Sequence, residues 1–117
     1  MDTLFELLAN QCVDASTLQL NYRPLPPEQI ISGQPEVGTL ELGQLSRCSI
    51  GVWEISPSIT TDVEVDEIFV VLHGRATVIF SDGSPPLELK AGSVGRFSVG
   101  AATTWAVTET LRKIYIA

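Results

Sequence analysis

Hydrophobic and polar residues alternate through most of this chain with a period of two, the signature of strands with one buried face. The clearest case is "TTDVEVDEIFVVLHG", residues 60–74, where Val63, Val65, Phe69 and Val71 share one parity. Glu67 falls on that apolar face, and Asp62, Glu64 and Asp66 fall on the other, read as a solvated face. A bulge near Asp66 would break this phase. Further β-prone runs follow one another from residue 39: "TLEL", "SRCSIGVWEI", "RATVIF", "LEL", "VGRFSV", "TTWAVTE" and "LRKIYIA". Short turn-forming segments, "SPS", "HG", "SDGSPP", "KAGS" and "VGA", separate them. Many strands with tight turns and no helices between them predict an all-β sandwich or barrel. "HG" at 73–74 reads as a two-residue hairpin turn containing Gly74.

The first thirty residues differ. Leu4, Phe5, Leu7 and Leu8 predict a short amphipathic helix over residues 2–9. "NYRPLPPEQIISGQPEVG", with its four prolines, predicts an extended wrapping arm. The expected organisation is therefore a helix and arm over 1–30 and a barrel over 31–117. Ile68, Val70 and Leu72 make the outer face of their strand apolar too. That face calls for a cover, either the arm or a second subunit, so a homodimer is the expected partner.

At 117 residues the chain makes one domain, and 44% hydrophobic with 18% charged residues is globular. A net charge of −7 argues against nucleic acid and anionic membranes as partners. No apolar run is long enough to cross a bilayer, and the acidic start "MDTLFELLAN" lacks a signal-peptide pattern. Cys12 and Cys48 form no CxxC pair, and free thiols in a cytoplasmic protein are the expectation, with a single bridge left open.

From Ile31 to Ala117 the ordered set "SGQPEVGTLEL", "GVWEISPS", "DEIFVVLHGRATVIFSDG", "LKAGSVGRFSVGAATTWAV" and "LRKIYIA" resembles a small single-domain cupin of the RmlC-like superfamily. The branch it is most similar to is that of ureidoglycine aminohydrolase and the ethanolamine-utilisation cupins. The resemblance implies a conical jelly-roll β-barrel, commonly a homodimer. Metal-binding cupins carry two histidines one residue apart, then a glutamate, then a third histidine in a later motif. Glu67 and Gly74 match the end of the first motif. Counting back, the histidine positions fall on Thr61 and Val63, or on Thr60 and Asp62 with the longer spacer. The third falls on Thr103. With three imidazoles replaced, a transition metal loses most of its ligands, because such ions need several convergent donors. A hard cation such as Mg²⁺ or Ca²⁺ through Glu67 stays open, and no cofactor is expected. His73, the single histidine, reads as a turn residue.

The expected site is thus a polar group in an apolar cup. Glu67 is central, with Glu54 as a further acid or base and Lys113 as its counter-charge or as a stabiliser of negative charge. Trp53, Thr103, Trp105 and Tyr115 are candidate ligand-binding residues, and so is Arg96, whose parity with Val94 and Ser98 does not decide its face. Trp53 and Trp105 serve equally as core packing, and Lys113 equally as a surface charge. Three functions follow: a metal-independent cupin binding a small polar metabolite, a metal-independent isomerase or hydrolase-like enzyme, or a structural protein with a filled barrel.

Overall fold

The structure is a computed structural model that describes residues 5–117. Among these residues the strands are β1 (Asn21–Pro24), β2 (Ile30–Ser32), β3 (Glu36–Leu45), β4 (Cys48–Ile55), β5 (Ser58–Val63), β6 (Glu67–Phe80), β7 (Leu87–Leu89), β8 (Val94–Phe97) and β9 (Ala102–Ile116). One 3-10 turn, Pro27–Gln29, interrupts the proline-rich arm. All strand pairings are antiparallel.

The two longest strands organise the fold. β6 and β9 run side by side from the pair Ile68–Ile116 to the pair Phe80–Thr103. The free edge of β9 takes β4 along one half and β5 along the other. That of β6 takes β8 and then β7. Two leaves that share bent central strands close on each other as a jelly-roll barrel, as expected from the run of short strands.

The bend is where the sequence suggests a hairpin, and here the expectation fails. β6 continues through His73 and Gly74, and its register against β9 shifts between Val71 and Ala76. Gly74 has φ 99°, and a side chain there would collide with the Thr110 carbonyl and the Leu111 backbone. Only glycine accepts both demands, so Gly74 makes a bulge at a barrel corner rather than a turn.

The main core lies between the leaves: Ile55, Phe69, Val71, Ala76, Val78, Leu89, Phe97, Trp105, Val107 and Leu111. A second cluster forms on the outside of β3 and β4, where Leu20, Leu42 and Val52 meet Phe5, Leu7, Ala15, Leu18 and Leu40. The expected helix over 2–9 is corrected by this cluster. Residues 2–4 lie outside the described residues, and 5–9 are not helical. Leu7 donates its N–H to the Leu42 carbonyl at 2.8 Å, and Phe5 and Leu7 turn inward while Glu6 and Leu8 face out. A backbone donor used on a neighbouring strand is lost to a helix, and the apolar pair at spacing two is better buried by extended chain. The N-terminal segment therefore covers β3 and β4. The outer face of β6 and β8 stays open, with Ile68 43% and Val94 69% exposed.

Candidate functional site

The mouth of the barrel is built where the alternation of β5 slips before β6. β5 sends Thr60 inward, where it is buried, and Asp62 to the cavity. The chain then leaves the strand for three residues, and Glu64 turns in before Glu67 restarts the alternation with Phe69 and Val71. Glu64, expected on a solvated face, is only 7% exposed. Val63 and Val65, expected inside, are exposed. Two backbone bonds hold the slip: the Glu64 N–H donates to the Ala101 carbonyl, and the Gly100 N–H donates to the Glu64 carbonyl, both at 2.9 Å.

β9, the neighbour of both β5 and β6 in the sheet, continues the wall with Thr103, Trp105, Lys113 and Tyr115, all on its inward parity. β4 adds Trp53. Lys113, 5% exposed, donates to Glu67 Oε2 at 2.6 Å. Its Nζ also lies 4.8 Å from the ring centres of Trp53 and Phe69, 5.3 Å from Trp105 and 5.6 Å from Phe97. A buried ammonium so placed is stabilised by a carboxylate and by the negative faces of several rings. Glu64 Oε2 accepts from the Thr103 hydroxyl at 2.6 Å and from Trp105 Nε1 at 3.0 Å. Trp53 and Trp105 are tilted against each other with centroids 5.4 Å apart.

These side chains line an open cavity of about 400 Å³, with Thr39, Trp53, Asp62, Glu64, Glu67, Trp105, Lys113 and Tyr115 on its walls. Beyond the two tryptophans a smaller pocket of about 200 Å³ runs under Leu25 and Gln29 of the arm. Asp62 lines both. Its carboxyl is raised above the usual range, first by burial and then by Glu64 beside it. The Tyr115 phenol is raised as well, by burial with Glu41 and Glu67 behind it, so it remains a neutral donor. Gly51 leaves the space its ring needs: a methyl group on Gly51 would meet the phenol directly.

Glu54 and Arg96 are not part of this cavity. Glu54 leaves β4 on the side opposite Trp53 and is hydrogen-bonded to the Tyr22 hydroxyl and, at 2.9 Å, to Arg112 Nε. Arg112 Nη1 continues to the Ala15 and Leu18 carbonyls, both at 2.9 Å. This buried group fastens the arm to the barrel, and His73 Nε2 approaches it at 3.8 Å from Glu54 Oε1. Arg96 pairs with Ile68 in register and is exposed on the outer face. Cys12 and Cys48 are free and exposed.

Residues 42–115 match the model of the EutQ-like cupin domain. The chain belongs to this cupin family. The cupin also superposes on a DUF861-family protein of unknown function from Pseudomonas syringae, with TM-score 0.75 and 26% identity over 89% of this chain. It spans 46% of that protein's length. The EutQ protein of Clostridium difficile matches with TM-score 0.67 and 19% identity, over 90% of this chain and 83% of its own. A putative ethanolamine utilization protein from Salmonella typhimurium matches with TM-score 0.61 and 21% identity, over 86% and 96%. No curated protein matches the cupin. None of its helices among the described residues is long and apolar enough to cross a membrane.

In this cupin the longer spacer describes the motif: Thr60 is buried and Asp62, though solvent-exposed, shares its face of β5 and lines the cavity, whereas Thr61 and Val63 take the other face. Asp62, raised above its ordinary pKa of 3.8, costs the fold stability when ionised. The folded state binds that proton more tightly than the unfolded chain, so stability falls as pH rises through the raised value. Asp62→Asn is therefore expected to melt higher than the parent at neutral pH. The gap should shrink as pH falls and vanish below the unfolded pKa. Thermal melts of both proteins across that range check it, and an unchanged gap would exclude ionisation of Asp62 as the cause.

Proposed function

We propose that this cupin binds a small polar metabolite in the mouth of its barrel and does so without a transition metal. The open cavity between the two tryptophans and the Lys113–Glu67 pair carries this reading. Cavities of this size with apolar walls and a few convergent polar groups are the usual form of a small-molecule site. Deeper in the barrel, Phe69, Phe97, Val71, Val78 and Leu111 fill the space, so a ligand meets its partners at the rim.

The donor set supports metal independence. The positions that hold imidazoles in metal cupins present two hydroxyls and one carboxylate: Thr60, Thr103 and Asp62. The remaining ligand, Glu67, already carries the Lys113 ammonium, a resident cation. Mg²⁺ or Ca²⁺ on Glu67 would have to displace it. An enzymatic reading retains Glu67 but loses Glu54, which is committed to the arm. Asp62 and Glu64 are then the carboxylates at hand for acid–base work.

The two tryptophans of the chain both line the cavity, which makes fluorescence a direct readout. Millimolar members of a panel of small amines, alcohols, ureides, carboxylates and sugars are expected to include one that changes the emission saturably and raises the melting temperature. The Trp53→Phe variant should retain part of that signal, from Trp105. A panel that moves neither emission nor melting would favour the filled, structural barrel.

A further inference from the structure

Three carboxylates, Asp62, Glu64 and Glu67, face one cation, Lys113, in the same cavity. Lys113 is bound to Glu67 at 2.6 Å, so that pair is internally neutral. Neither Asp62 nor Glu64 has a salt-bridge partner among the described residues. Both hydrogen bonds to the Glu64 side chain end on Oε2, and Oε1 has no partner among the described residues. Glu64 is only 7% exposed, yet this Oε1 is not itself shut off from the cavity, so it is an acceptor a ligand donor can reach. Asp62 uses one oxygen on the adjacent Val63 N–H at 2.8 Å and lines the same space.

The walls point the same way. The ring faces of Trp53 and Trp105 already hold the Lys113 ammonium at 4.8 and 5.3 Å. Aromatic walls of this kind also accept the apolar stem of a ligand cation, whose repulsion from Lys113 is offset by the Asp62 and Glu64 carboxylates. An anion at the mouth would meet Asp62 and Glu64 while the Lys113 charge is spent on Glu67.

We propose that the ligand of this cavity is a small organic cation, an alkylammonium or amidinium compound. Its charged nitrogen lies between Asp62 and Glu64, and its carbon skeleton lies against Trp53 and Trp105. This inference rests on the binding function proposed above and names the ligand class. The cation restores charge balance in the mouth and offsets the repulsion between Asp62 and Glu64, which adds to burial in raising the Asp62 carboxyl.

The test uses three probes of one shape and different charge: n-butylammonium, n-butanol and n-butyrate. Tryptophan emission is titrated at neutral pH with the parent protein, Asp62→Asn and Glu64→Gln. Asp62→Asn removes a partly exposed charge. Glu64→Gln keeps an acceptor for Thr103 and Trp105, and melting curves establish that both variants fold. Saturable binding of n-butylammonium is expected, with n-butanol and n-butyrate at least about tenfold weaker. Each variant should weaken the ammonium by about tenfold or more, the usual effect of removing a charge-assisted hydrogen bond. Binding of n-butyrate or n-butanol as tight as n-butylammonium overturns the charge assignment and leaves a small-molecule site standing. So does a neutral or anionic hit from the wider panel when n-butylammonium fails. Silence from these probes and from the whole panel overturns both readings.

Discussion

Lys113→Met is expected to lower the unfolding free energy by about 3–5 kcal/mol, because it leaves Glu67 without a counter-charge although its side chain is only 10% exposed. The geometry makes this one of the two largest single-residue effects predicted for the molecule. Lys113 and Glu67 side chains are 6% and 10% exposed, and their contact is 2.6 Å. Methionine fills much of the same volume, so packing against Trp53 and Phe69 is largely conserved and the charge is what changes. The double variant Lys113→Met/Glu67→Gln should regain most of the loss, since replacing both partners of a buried pair costs far less than orphaning one. Urea titrations of the parent, both single variants and the double variant give the coupling energy. If the double variant is no more stable than Lys113→Met alone, the loss belongs to packing and not to the pair.

Arg112→Met should cost a similar amount, about 3–5 kcal/mol, on the other side of the same strand. Its guanidinium meets Glu54 at 2.9 Å and also two carbonyls of the arm, so its removal takes the counter-charge from a buried carboxylate, which keeps only the Tyr22 hydroxyl, and orphans two acceptors. Hydrogen exchange locates the damage: the Leu7 amide bonded to Leu42, and the amides of β1, should lose protection before the barrel does. Arg112→Lys should recover only part, because a single ammonium does not reproduce a planar fork serving Glu54 and two carbonyls. Equal protection of the arm in the parent and in Arg112→Met would show that the arm is held by its apolar contacts alone.

The barrel is legible in the sequence because strand alternation and turn residues survive in nearly every segment, and their order carries the family resemblance. The site is harder to read. Alternation assigns residues to two faces but does not say which face looks into the cup. Glu54 shares an apolar face with Val52, and that face belongs to the second core and not to the cup. Glu64 escapes a parity count because the three residues before Glu67 leave the strand, and parity carried across such a break is inverted. The signal is present in "VEVDE", where one extra residue in an alternating run leaves two charges adjacent to each other. Gly74 misleads in a related way: a glycine between β-branched runs fits a hairpin and a corner bulge equally, and only the partner strand decides. The non-helical segment over 5–8 depends on Leu42, a contact across sequence that local periodicity does not contain.

The hydrogen bonds from Arg112 to Ala15 and Leu18 join positions 97 and 94 residues apart. During synthesis the arm emerges first and the strand that fastens it comes much later. Until β9 is in place, the arm is held over Leu42 and Val52 by apolar contacts and backbone hydrogen bonds alone, and Glu54 waits without its guanidinium. Closing the barrel with β9 therefore also fastens the arm, so the two events are coupled through one guanidinium.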